Sequence, residues 1–168
     1  KSAGLKIKID TTGLKDSKVD YTNVSSSGSS DNSGSVSADI QQLSNEIVGD
    51  ETDEYKKFEK LHNWGCTNTP YSNYECSHHN NDPDECLKNK DKGLNCGDTA
   101  ILMKALYDAQ NITNHITHGD YHFWNIVTIN GKKYCSDCSG NRGHAIGKVW
   151  GNNTPLGGSN VKGYALCS

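Results

Sequence analysis

The sequence predicts an α+β fold in which helices come first and an antiparallel sheet follows. Three observations predict it. Apolar residues recur at helical spacing in segments between Ser37 and Gln110, most clearly from Cys96 to Gln110. Two alternating runs then flank Asn130-Gly131, the strongest short-range hairpin signal. An extended segment, Ile112 to Thr117, lies just before them.

Residues 1–24 form a short appendage whose one alternating run, Leu5 to Ile9, reads as a strand. Residues 25–35 are Ser, Gly, Asp and Asn only, the composition of a flexible linker, which leaves 36–168 as the folded domain. Ser37 caps a helix that carries Ile40, Leu43 and Ile47 on one face. Thr52 opens a second helix, with Tyr55, Phe58, Leu61 and His62 inward, ending about Trp64-Gly65. Residues 65–83 are polar and broken by Pro70 and Pro83, and Asp84 to Lys90 reads as a short helix. The third long helix has an apolar stripe of Ala100, Met103, Leu106 and Tyr107. Strands are predicted at 112–117, 121–129 and 132–135, then a Gly-rich loop beyond Ser139 that closes on a strand at 163–167.

The 168 residues suit one domain, and a hydrophobic content of 33% is low enough to imply that part of the chain is linker. A net charge of -3, with no basic run interleaved with aromatics, argues against a nucleic-acid partner. No apolar stretch is long enough to span a membrane, and no secretory signal opens the chain. Lys1 is not a natural start, so the chain reads as a fragment or a processed product. Seven cysteines, an odd number, suggest structural pairs plus one free thiol, as in a secreted or envelope-facing enzyme.

Cys96 is the candidate for that thiol. It opens a helix, where the partial positive charge favours thiolate and unpaired N–H groups can hold an oxyanion. Gly97 leaves room for a substrate backbone, and Asp98 suits the first helical turn. With Asn130-Gly131 at the turn, Ile129 faces Lys132, Val127 faces Tyr134, Trp124 faces Asp137 and His122 faces Ser139. His122 and Asp137 are then diagonal neighbours on one face, within reach of each other's side chains. A cysteine at a helix start, with an imidazole and a carboxylate across a hairpin, has the logic of nucleophile, base and orienter. Each residue alone has a plain structural reading; the combination points to catalysis.

The segments Asn95-Cys96-Gly97-Asp98-Thr99-Ala100, His122-Phe123-Trp124-Asn125 and Tyr134-Cys135-Ser136-Asp137 resemble the transglutaminase-like core. Leu61-His62-Asn63-Trp64 and Pro70 to Glu75 are similar to the segment before the nucleophile in archaeal members, above all the pseudomurein endoisopeptidases of methanogen viruses and prophages. The resemblance covers about residues 37–139. It implies a papain-like core with the nucleophile on a central helix packed on an antiparallel sheet. It also implies a cysteine peptidase acting on isopeptide cross-links, with Cys96, His122 and Asp137 as triad. A second oxyanion donor is expected among Asn73, Tyr74 and Asn63, with Trp124 as a cleft wall. Two features depart from the family pattern: the short interval between Cys96 and His122, and the cysteines at 135 and 138 that bracket Asp137.

Three disulfides among the other six cysteines are the favoured expectation. The alternative is a zinc site built on Cys135 and Cys138 with Cys66, Cys76 or Cys86. Asp82, Asp84 and Glu85 offer oxygen ligands for calcium, although a solvated loop fits them better and no cofactor is required by the sequence. The expected partner is a cell-wall peptide, met by a monomer at the cell envelope. The competing functions are amine transfer by the same acyl-enzyme and a non-catalytic, disulfide-stapled adhesion domain.

Overall fold

The fold is described from a computed structural model, over residues 36–75, 78–139 and 144–160. The appendage, the linker and the strand expected at 163–167 lie outside these residues.

Four helices precede the sheet: α1 Ala38–Val48, α2 Glu54–Asn68, α3 Pro83–Asn89 and α4 Cys96–Ala109, with a 3-10 turn at Lys90–Lys92 between the last two. Ser37 caps α1 as expected, its hydroxyl accepting from the Ile40 amide at 3.2 Å. The face it buries is turned slightly from the one predicted. Ile40, Ser44 and Val48 are buried, whereas Leu43 and Ile47 are only partly so. Ser44 earns an interior place through polar partners, donating to the Leu106 carbonyl (2.9 Å) and accepting from Gln110 (3.0 Å).

Helix α2 is capped by Asp53 and runs on through Gly65 to Asn68. Gly65 is therefore no stop signal. A Cβ built there would lie 2.5 Å from Met103 Sδ and 2.9 Å from Cys138 Sγ, so glycine serves here to let α2 approach α4 and the end of the sheet.

The sheet contains β1 Asn114–Gly119, β2 His122–Ile129, β3 Lys132–Ser136 and the two-residue β4 Ser159–Asn160. Their order is β3-β2-β1-β4, and every pairing is antiparallel. Asn130 and Gly131 both take positive φ (51° and 75°), the turn chemistry expected of Asn-Gly. The β2–β3 ladder has the predicted register: Ile129 with Lys132, Val127 with Tyr134, and on to Asn125 with Ser136. Strand β1 begins two residues later than expected. Asn111, at φ 56°, turns the chain off α4 and sends Ile112 into the core.

Helix α4 lies at the centre, against α1, α2 and α3 on its far side and β1 and β2 on the other. Every residue from Gly97 to Tyr107 is buried, so the apolar stripe read from the sequence is only part of an all-round core helix. Asn125 on β2 ties sheet to helix by donating to the Ala100 carbonyl at 3.0 Å. Gly65→Ala should destabilise the fold by about 1–3 kcal/mol through overpacking. Urea unfolding would measure it, and an unchanged midpoint would contradict the close approach described.

Candidate active site

Cys96 sits at the first position of α4, half-buried, while the residues on either side of it are buried. Its place is set by the cap before it. Asn95 accepts from the Asp98 amide through its side chain (2.9 Å) and is itself gripped by Tyr74. The Asn95 amide donates to the Tyr74 hydroxyl and its side chain to the Tyr74 carbonyl, both at 3.1 Å. The same hydroxyl donates to Asp98 Oδ2 at 2.6 Å. Tyr74 is delivered by a short parallel bridge between Tyr71 and Leu94. Gly93 permits that bridge, because its φ is 94° and a Cβ there would come within 2.7 Å of Ser72 Cβ. Burial first, and then Asp98, push the Tyr74 phenol upward, so it remains a protonated donor.

His122 opens β2, and Asp137 follows the last residue of β3. The imidazole Nε2 donates to Asp137 Oδ2 at 2.7 Å, with both side chains buried. The carboxylate is filled further by backbone donors: Ser139 N–H on Oδ1 (3.0 Å) and Trp150 N–H on Oδ2 (2.9 Å). Burial alone would raise the Asp137 carboxyl, but His122 and these two amides hold it below its ordinary value. Burial likewise pulls the imidazole down. Its hydrogen bonds to Asp137 and then Cys96, with the negative charge of both, lift it to about 9. With Nε2 committed to Asp137, the ring nitrogen left for Cys96 is Nδ1. Trp124 stacks on the imidazole at 5.7 Å and 22°, and Trp150 tilts against it at 5.4 Å.

The structure thus brings Cys96, His122, Asp137 and Trp124 together. Tyr74 lies beside them, but its hydroxyl hydrogen is spent on Asp98, leaving none for an oxyanion. Asn73 is exposed and accepts from the Tyr71 hydroxyl at 3.4 Å; Asn63 is exposed on α2. Trp150 and Pro155, whose carbonyl accepts from Trp124 Nε1 at 2.9 Å, were not foreseen. A tryptophan in an otherwise Gly-rich loop was the one signal that could have marked this segment.

The expectation of three disulfides needs correction. Cys66, Cys86, Cys96, Cys135 and Cys138 are all thiols; Cys76 and Cys167 lie outside the described residues. Their sulfurs have other partners. Cys135 donates to the Lys148 carbonyl at 3.2 Å, and burial pushes its thiol up to about 12. Cys66 and Cys138 meet His62 instead, the three ligand atoms lying within 4.8 Å of one another. The Cys138 hydrogen bond, opposed by burial and aided by His62, holds the Cys66 thiol well below the ordinary range. Asp82, Asp84 and Glu85 form no comparable group among the described residues. Asp82 caps α3, Asp84 accepts from Ser37, and Glu85 pairs with Lys88 at 3.3 Å.

Residues 41–153 match the model of the transglutaminase-like superfamily. A solved structure from Cytophaga hutchinsonii, named as a candidate cysteine protease, is similar at a TM-score of 0.55 and 18% identity. The match covers 84% of this chain and 45% of that one, and at this identity it speaks to the fold alone. No curated protein matches the chain significantly.

The folded value of about 9 for His122 lies above its ordinary 6.5. The stability it confers is therefore complete below about pH 6.5 and is lost as pH rises through 9. Urea unfolding should show a loss on the order of 3 kcal/mol across that window, and Asp137→Asn should remove most of the slope. An equal slope in wild type and variant would refute the pairing as its cause.

Proposed function

The chain belongs to the transglutaminase-like superfamily, and from that premise we propose that it is a cysteine peptidase that hydrolyses amide cross-links of a cell-wall peptide. One observation carries this reading: the His122 imidazole is held between the Asp137 carboxylate at 2.7 Å and the half-buried Cys96 thiol at a helix start.

The proposed steps use protein groups and water. His122 Nδ1 takes the Cys96 proton, and the sulfur forms a bond to the amide carbonyl carbon. The oxygen of the tetrahedral intermediate faces the first amides of α4, those of Cys96 and Gly97, which have no acceptor within the helix. Collapse breaks the C–N bond as the imidazolium gives its proton to the leaving amine. Water then attacks the thioester, passing a proton to His122, and the acid product leaves as the thiol is restored. Asp137 fixes the tautomer that leaves Nδ1 as base and stabilises the imidazolium formed in each half-reaction. Trp124 stacked on the ring and Trp150 tilted against it limit its exchange with water.

The wall substrate rests on the likeness of Leu61 to Trp64 and Pro70 to Glu75 to archaeal endoisopeptidases, which makes pseudomurein the first substrate to test. All three groups come from one chain, so a monomer suffices, and such a substrate would place its action at the cell envelope. The thiol state of the described cysteines removes the disulfide argument for that location, leaving the substrate as its support. Amine transfer is the second reading. It shares the acyl-enzyme and differs only in whether water or an amine resolves it.

Incubation with purified pseudomurein, followed by mass spectrometry, should release peptides bearing one new amine and one new carboxylate. Joined peptides in place of cleaved ones would favour transfer. Cys96→Ala should retain the fold and lose turnover entirely. Asp137→Asn should lower kcat by roughly 10³–10⁴-fold. An active Cys96→Ala variant would sink the mechanism.

A further inference from the structure

Behind the Cys96 site lies a second group of reactive side chains that the proposed mechanism leaves unused. His62 and Cys66 stand one turn apart on α2 and are buried, and Cys138, also buried, follows Asp137 directly. Cys66 Sγ lies 3.4 Å from His62 Nε2, and Cys138 Sγ lies 3.5 Å from His62 Nδ1. The two sulfurs lie within 4.8 Å of each other. Ligand bonds of 2.0–2.3 Å in a tetrahedron set ligand-to-ligand edges of about 3.5–3.8 Å; the Cys138 contact with Nδ1 has that length, and one ligand atom from each of the three residues lies within 4.8 Å of the others.

Its surroundings fit a metal better than a chance contact. Ser136 Oγ lies 2.8 Å from His62 Nδ1 and 2.7 Å from the Tyr107 hydroxyl, and 3.9 Å from Cys138 Sγ. It can accept from the phenol while giving its own hydrogen to the Cys138 sulfur, which supports a thiolate ligand. The His144 carbonyl accepts from His62 Nε2–H at 2.7 Å, the outer-shell hydrogen bond that fixes a metal-bound imidazole and leaves Nδ1 for the ion. Gly65, one residue before Cys66, is what allows Cys138 Sγ to sit against the helix. The His144 carbonyl also lies 3.7 Å from Cys66 Sγ.

The geometry points to a structural zinc site formed by His62 Nδ1, Cys66 and Cys138, with a water molecule completing the tetrahedron. Binding releases the two thiol protons to solvent and leaves two thiolates on the ion. Soft sulfur with imidazole donors selects zinc over magnesium or calcium. Because Cys138 adjoins Asp137, and the ligand His62 also holds the His144 carbonyl on the segment leading to Trp150, the site would pin both sides of the loop that holds the carboxylate. Cys135, the other half of the Cys-x-x-Cys pair, takes no part.

The test uses the full chain purified without chelator, and it reads metal content, so it stands apart from any assay of peptidase activity. Elemental analysis should find about one zinc per chain in wild type and in Cys135→Ser, and less than about a tenth in Cys66→Ser or Cys138→Ser. Cobalt added to metal-depleted wild type should give a thiolate-to-cobalt charge-transfer band and the intense visible bands of a tetrahedral ion. The site is refuted if wild type lacks zinc and gives no such cobalt spectrum. A Cys66–Cys138 disulfide found by peptide mapping of the unreduced protein would also refute it.

Discussion

The burial of α4 from Gly97 to Tyr107 is the constraint on which the rest of this structure depends. A helix enclosed on every side cannot leave the polar groups of its ends to water, so the fold must supply partners for them. At the start these are Asn95 and Tyr74, with Asp98 drawn in through the Tyr74 hydroxyl. Within the helix Lys104, also buried, is matched by Asp108 at 3.2 Å, and Asn114 of β1 donates to the same carboxylate at 2.8 Å. Tyr74 comes from the loop before the helix and Asn114 from the strand after it. Satisfying the helix therefore fixes the loop before it and the strand after it, and it leaves Cys96 as a rigid point at the rim of the core.

The same economy governs the imidazole. A buried His122 and a buried Asp137 would each be driven to neutrality by desolvation, yet each holds the other charged. What makes this tenable is the backbone: the Ser139 and Trp150 amides fill the remaining carboxylate lone pairs. The pair thus depends on a loop that has little regular structure of its own. That loop is tied down by small anchors, among them the Trp124 hydrogen bond to Pro155 and the Asn153 acceptor for the Asp120 amide at 2.7 Å. It is also tied to α2 through the Ser136 and Cys138 contacts with His62. The Asp137 carboxylate is accordingly held from the sheet, from the loop and from the helical layer at once.

The sequence alone was enough for the class of fold, the place of Cys96 and the hairpin register. Each of these depends on local rules: helical period, a cap before a helix, and the two-residue side-chain alternation counted outward from Asn130-Gly131. Because the register is arithmetic, the neighbourhood of His122 and Asp137 could be read before any coordinates. What stayed hidden were facts of three-dimensional approach. Gly65 looked like a helix end because the sequence does not say what will press against it. Ser44 broke an apolar pattern because its partner, the Leu106 carbonyl, is far away in the chain. Trp150 and His144 lie in a segment without periodicity, where no local rule says which way a side chain turns. The cysteines were misjudged for the same reason. Their number could be counted, but whether two sulfurs face each other or share an imidazole is decided only when α2 packs against the end of β3.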